Sequence, residues 1–152
     1  MVNRNGKVHE MRRLLAKWVR KASDAKLERR FGSPLAQRAM FSAMVARFNP
    51  DAAGGFEGEL SYELRRPATG APSLQWTVEV VARRARARRG GSDDAAVKLR
   101  VSLADFVRIG VGTLDPALPV LQGRASFRGD FGLVVRLPEM FGARPPGRRA
   151  PG

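Results

Sequence analysis

The side chains that most often carry out catalysis are scarce in this sequence. It contains no cysteine and a single histidine, His9, which stands among charged residues. The absence of cysteine excludes disulfides, thiolate zinc sites and cysteine nucleophiles. A histidine acts in a triad or a metal site when other residues hold it in place, and no partner for His9 can be identified. His9 is therefore predicted to be a surface residue.

Two further patterns have the residue types of a catalytic or cofactor site. Glu57, Glu59 and Glu63 share one face of a strand, where they are predicted to balance arginines across the sheet. The segment 110–112 has two glycines but lacks the third glycine of a dinucleotide fingerprint, and it follows a helix instead of a strand. No nucleophile elbow, phosphate loop or His-Glu-x-x-His motif is present. The sequence predicts no enzyme, no metal site and no cofactor.

What remains is a surplus of bulky apolar side chains in the last third of the chain. They are more numerous than short helices need in order to cover one sheet face, and they admit two interpretations. They pack as an ordinary core, or some of them line a cavity of about 300–1,000 Å³ for an apolar ligand. The candidate lining residues are Trp76, Phe106, Ile109, Leu114, Leu118, Leu121, Phe127, Val134, Leu137, Met140 and Phe141.

The elements that would position these residues can be read from the spacing of apolar positions. Residues 97–103 alternate apolar and polar, which predicts a half-buried strand. Ser102 with Asp105 resembles a capping box that begins a helix. A second apolar helix is predicted at 115–123, a short strand at 124–128, and a last helix from 131 to 141 that Asp130 caps.

The earlier part of the chain predicts one more helix and a pair of strands. Ser33 and Pro34 are a good N-cap and first residue for a helix that runs to about residue 48. Residues 56–64 and 74–82 alternate and should pair antiparallel. The arginine-rich run 83–89 is predicted to extend the second of these strands, with a turn at 90–94. It either grips phosphates or forms a solvated hairpin, and it has no interleaved aromatic residue for stacking bases.

Residues 1–30 predict a basic amphipathic helix with a tryptophan on its apolar side. They hold ten Lys or Arg against three Asp or Glu, which is about half of the net charge of +14. The helix either lies on an anionic membrane or packs on protein. The residues predicted to contact an anionic surface are Arg12, Arg13, Lys17, Trp18, Arg20 and Lys21 here, with Arg84, Arg86 and Arg88 of the arginine-rich run.

Three segments also carry a resemblance to a known family. SLADF at 102–106, LQGRASFRGD at 121–130 and LVVRL at 133–137 resemble the core of the sterol carrier protein type two family. The resemblance implies an α/β (α+β) fold: a mixed, twisted sheet of about five strands, with helices on one face that enclose an apolar tunnel. The chain departs from the family in the long arginine run before Gly90, which leaves the shape of that hairpin open.

The resemblance covers roughly residues 34–142, and together with the composition of the two ends it divides the chain into three parts. A lipid-binding domain is expected at 31–142, a helical extension at 1–30, and a disordered Pro/Gly/Arg tail at 143–152. The implied function is non-catalytic binding and transfer, or presentation, of a lipid, acyl chain or sterol-like molecule. The final helix, 131–141, is a candidate gate.

The expected partners are an apolar small molecule, an anionic membrane at its surface, and a biosynthetic enzyme that receives the ligand. Nucleic acid is the less favoured partner, and the oligomeric state is not predicted. A cytoplasmic location is expected, because charges interrupt every apolar window near the start of the chain. The alternative function is a polyanion-binding or scaffolding module that uses the basic helix and the arginine hairpin.

Overall fold

The structure, a computed structural model, describes residues 4–142. The predicted tail at 143–152 and the first three residues of the N-terminal extension lie outside that range. The elements, in chain order, are α1 Arg4–Lys21, α2 Asp24–Phe31, α3 Pro34–Ala46, β1 Gly58–Arg66, β2 Ala71–Val81, β3 Arg84–Arg89, β4 Val97–Ser102, α4 Leu103–Gly110, α5 Ala117–Leu121, β5 Ser126–Gly129 and α6 Phe131–Met140.

The five strands form one open mixed sheet in the order β3-β2-β1-β4-β5. The central strand β1 pairs antiparallel with β2 and parallel with β4. The two outer strands β3 and β5 add antiparallel to β2 and β4. The predicted class, a mixed sheet of about five strands with helices, is confirmed.

The alternation of the sequence gives the sheet one apolar face and one polar face. On the apolar face, Tyr62 of β1 stands between Trp76 of β2 and Leu99 of β4. On the polar face, Ser61 stands between Thr77 and Lys98 in the same register. The helices cover the apolar face, because the buried residues of α3, α4 and α6 join those of the strands in one core.

The predicted helix starts are confirmed at three positions. The Ser33 hydroxyl accepts a hydrogen bond from the Ala36 N–H at 3.2 Å, and Asp130 accepts one from the Leu133 N–H at 3.2 Å. Ser102 accepts from the Asp105 N–H at 3.0 Å. The Asp105 carboxylate does not complete the predicted capping box, since it binds arginines.

Two predictions about element boundaries are wrong. The continuous basic helix at 1–30 is two helices, because the Ser23 hydroxyl caps α2 by accepting from the Lys26 N–H at 3.2 Å. The arginine run also does not extend β2. Ala82 and Arg83 take positive φ angles of 53° and 63°, which suits a tight two-residue hairpin turn. Residues 84–89 therefore return as a separate edge strand.

Candidate ligand-binding pocket

An aromatic cluster fills the space between the apolar sheet face and helices α3 and α4. The ring of Phe41 stacks on Trp76 with centroids 4.5 Å apart and an angle of 10° between the planes. Phe106 lies 5.4 Å from Phe41, and Tyr62 meets both rings edge-on at 5.9 and 5.7 Å. Such pairs stabilise beyond the area they bury, so the centre of the domain is filled by packed rings.

A pocket of about 660 Å³ lies beside this cluster, between α3 and the edge strand β3. Its apolar residues come from α3, β2 and β3: Phe41, Val45, Trp76, Ala85 and Ala87. Its polar residues are Arg38, Ser42, Arg86, Arg88 and Arg89. The volume is of the size that holds a small-molecule ligand.

Small side chains on β3 create this space. Ala85 and Ala87 stand beside Val80 and Val78 in the register of β2 and β3, on the apolar face of the sheet. Both alanines are partly buried and pack against the core. A methyl group fills less depth than a valine or leucine would at the same position, so α3 and β3 leave an apolar trough between them.

Hydrogen bonds fix the indole of the pocket. Trp76 Nε1 donates to Gln37 Oε1 at 2.8 Å, and Gln37 Nε2 donates to the Gly32 carbonyl oxygen at 2.8 Å. Trp76 and Gln37 are both buried. A buried indole N–H needs such a partner, and here the partner also sets the orientation of the ring at the pocket.

Two arginines, Arg38 and Arg89, put positive charge at the rim of the pocket, whereas Arg88 is engaged on the other face of the sheet. Arg88 pairs with Glu59 at 2.6 Å and with Glu79 at 3.9 Å on the polar face of the sheet. The Ser92 hydroxyl, followed by the Arg88 guanidinium, holds the pKa of Glu59 below its usual value. Within residues 4–142, Arg38 and Arg89 form no ion pair. Their charge is available to an anionic group at the mouth of the pocket.

The predicted cavity residues are distributed over several environments. Trp76 lines the pocket and Phe106 packs behind it on Phe41. Met140 and Phe141 are buried in the core, whereas Leu121 is 80% exposed. The others lie between these extremes on α4–α6, β5 and the loop before α5: Ile109, Leu114, Leu118, Phe127, Val134 and Leu137. Their part in ligand binding stays a prediction, as does the gate at 131–141.

Sequence reasoning missed most of the pocket. Arg38, Phe41 and Ser42 of α3 were not singled out, and the two alanines of β3 were overlooked among arginines. The signal was present, because the alternation of Arg and Ala at 84–88 places small apolar residues on one face of a strand. A search for large apolar residues does not detect a space made by small ones.

The residues predicted to contact an anionic surface fall into two groups. Arg12, Arg13, Lys17, Trp18, Arg20 and Lys21 lie on α1, which packs against α4 on the helical side of the sheet. Arg84, Arg86 and Arg88 stand beside Val81, Glu79 and Thr77, on the polar sheet face. The fold therefore separates the two groups, and contact of either with an anionic surface stays a prediction.

Residues 4–142 contain no cluster of three or more His, Asp or Glu side chains that could hold a metal ion. No helix in that part of the chain combines the length and apolar character needed to cross a membrane.

Solved structures share the fold at low sequence identity. The crystal structure of sterol carrier protein 2 like 2 from Aedes aegypti matches with a TM-score of 0.56 and 20% identity, over 69% of this chain and 95% of the other. The solution structure of palmitated SCP2L2 from the same species matches with a TM-score of 0.55 and 21% identity, over 68% and 92%. No curated protein matches the sequence.

The same fold also occurs as part of a larger enzyme. The stereoselective inverting sec-alkylsulfatase Pisa1 from Pseudomonas sp. matches with a TM-score of 0.52 and 19% identity, over 67% of this chain. This chain spans only 15% of the length of that enzyme.

The family relationship rests on the sequence itself. The model of the SCP-2 sterol transfer family matches residues 41–142, which include the sheet, helices α4–α6 and every residue of the pocket except Arg38. The predicted resemblance is thereby confirmed, and the alternative of a polyanion-binding module gains no support from these matches. The chain belongs to the SCP-2 sterol transfer family.

Proposed function

We propose that this chain binds one long-chain amphiphile in the pocket between α3 and β3, and that it carries or presents this ligand without changing it. The observation that supports the proposal is the pocket, with its apolar residues from α3, β2 and β3 and its arginine rim. Removing a hydrocarbon chain from water on such a surface contributes about 25 cal/mol per Å². The sulfatase match does not bear on this chain's activity, because this chain corresponds to a small part of that enzyme.

The charged rim would orient the ligand, with its polar end at the mouth of the pocket. A hydrocarbon tail lies against Phe41 and the two alanines of β3, while a carboxylate at its other end lies near Arg38 and Arg89. Both arginines are exposed, so water screens the attraction and reduces it to a modest contribution. The apolar contact supplies affinity, but it discriminates weakly between chains of similar size.

Native mass spectrometry of the gently purified protein, followed by solvent extraction, tests the proposal. We expect a discrete apolar adduct that is lost on denaturation. The palmitated relative makes palmitate the first ligand to add, with hexadecanol as the uncharged control of equal chain length. Palmitate should bind about fivefold more tightly if an arginine contributes about 1 kcal/mol. A bare mass together with no binding of either compound would overturn the proposal.

A further inference from the structure

Helix α1 exposes a stripe of large apolar side chains. Met11, Leu14, Leu15 and Trp18 are spaced three and four residues apart, so they share one side of the helix. Met11 is 69% exposed and Leu14 is 64% exposed. By contrast, Val19 near the end of the helix is fully buried. The domain therefore anchors α1 through its last turns and leaves the preceding stripe uncovered.

The stripe continues into a groove between α1 and α2. This groove has a volume of about 630 Å³ and is lined by Leu15, Trp18, Phe31, Lys26, Arg29 and Arg30. The rings of Trp18 and Phe31 lie 6.5 Å apart. In the described part of the chain, none of the three cations forms an ion pair. Apolar and cationic groups thus line one concave surface.

Few acids counter this charge. Glu28 is buried, where it accepts hydrogen bonds from the Ala68 and Thr69 N–H groups at 3.0 and 2.9 Å. Asp24 pairs with Arg108 at 2.5 Å. Glu10 alone remains as an exposed acid of α1 and α2 without an ion pair among the described residues. The electrostatic field over the two helices is strongly positive.

We propose that α1 and α2 dock the protein on an anionic phospholipid bilayer. The stripe enters the boundary between headgroups and acyl chains, as amphipathic helices do. The indole of Trp18 is suited to that interface, and the groove cations receive a lipid phosphate. Nucleic acid is the less suitable partner, because a phosphate backbone offers no apolar surface that would bury the exposed Met11 and Leu14 side chains. The site lies outside the family-matched residues.

Co-sedimentation with vesicles tests this docking. The probes are vesicles of phosphatidylcholine alone and of phosphatidylcholine mixed equally with phosphatidylglycerol. We expect binding to the anionic vesicles and little to the neutral ones. The Lys26→Gln/Arg29→Gln/Arg30→Gln variant should bind roughly 100-fold more weakly, since each cation near an anionic surface contributes about fivefold. Leu14→Ser/Trp18→Ser should lose at least about tenfold, because these side chains then bury little apolar area.

The matched control removes three cations from the polar sheet face with Arg84→Gln/Lys98→Gln/Arg128→Gln. It should change vesicle binding by less than about threefold. A blue shift of Trp18 fluorescence on binding, absent in Trp18→Phe, would place the stripe in the bilayer. Equal binding to neutral vesicles, or equal loss in the control, would overturn the proposal. So would duplex DNA binding that needs the groove cations and survives Leu14→Ser/Trp18→Ser.

Discussion

The two edges of the sheet differ in how their inner faces are filled. At the β3 edge, Ala85 and Ala87 face α3 and leave a pocket. At the β5 edge, Phe127 stands beside Leu99 and lies 5.8 Å from the ring of Phe131. The same open sheet thus has a trough at one border and bulky side chains at the other. The comparison teaches that residue size on the edge strands decides where this sheet leaves open space beside its helices.

The β5 edge is also held by an ion pair to a buried carboxylate. The N–H of Asp130 donates to the Ala96 carbonyl oxygen at 3.2 Å. Arg124, in the loop before β5, pairs with the buried Asp105 of α4 at 2.5 Å. The β3 edge lacks a comparable buried pair among the described residues, since the partners of Arg88 are on the polar face. Substitutions at the two edges should therefore have unequal effects.

The largest expected effect is at Gly129, the last residue of β5. Its φ is 114°, and a Cβ there would overlap the Ala96 carbonyl oxygen. Gly129→Ala should reduce the free energy of unfolding by about 4 kcal/mol through combined strain and overlap. Gly90, just after β3, has a φ of 100° but open space around it, so Gly90→Ala should cost about 1–2 kcal/mol. Urea denaturation measures both, and equal losses would contradict the comparison.

The next effect is at the ion pair of the β5 edge. Asp105→Asn removes the charge that binds Arg124 at 2.5 Å and Arg108 at 3.3 Å. Because both arginines are partly exposed, solvent limits the loss of unfolding free energy to about 2 kcal/mol. Glu79→Gln, which loses an exposed contact with Arg88 at 3.9 Å, is the control and should cost less than about 0.5 kcal/mol. Equal shifts of the denaturation midpoint in Asp105→Asn and Glu79→Gln would argue against a difference in stability between the two edges.

A third prediction concerns a substitution that fills the trough between α3 and β3. Ala87→Leu should lower palmitate affinity about tenfold, because the added side chain occupies pocket volume. Its free energy of unfolding should change by less than about 1 kcal/mol, since the trough has room for the new group. Isothermal titration calorimetry with palmitate measures the affinity. The control is Leu121→Ala on α5, which should leave the palmitate affinity unchanged. If Leu121→Ala lowered the palmitate affinity more than Ala87→Leu, the ligand would lie in the cavity predicted from the sequence and not in the pocket between α3 and β3.

The smallest effect concerns Tyr62 of the central strand β1. It changes the free energy of unfolding only at alkaline pH. Burial raises the pKa of Tyr62 above its ordinary value. The unfolded chain therefore ionises first, and stability falls as the pH rises above about 10, with a loss of about 1 kcal/mol near pH 11. Tyr62→Phe should remove this part of the alkaline dependence. Tyr62 is the only tyrosine, so tyrosinate absorbance reports it directly, and titration at the ordinary pKa would contradict the prediction.

Local patterns in the sequence were sufficient for much of the fold. The alternation at 56–64 and 74–82 identified the central strands, because one buried face forces a period of two. Ser33, Ser102 and Asp130 marked helix starts, since each side chain caps its own first turn. These features depend on neighbours a few residues away, which a sequence displays directly.

Features that depend on unusual backbone or on distant contacts were missed. The hairpin turn falls on Ala82 and Arg83, which rarely take positive φ angles, and it has none of the Gly or Asn that normally announce such a turn. The pocket needs α3 to lie over β3, some forty residues later in the chain. The sequence pointed to large residues near the C-terminus, whereas the pocket is made by small residues of an edge strand.

One amide side chain joins two distant parts of this molecule. Gln37 accepts from the Trp76 indole at the pocket and donates to the carbonyl oxygen of Gly32, at the corner between α2 and α3. Both bonds belong to a single planar group, so a movement of the indole turns the amide and disturbs the corner, unless a buried hydrogen bond is lost. The orientation of the indole at the pocket and the geometry of the corner between α2 and α3 therefore depend on the same buried side chain.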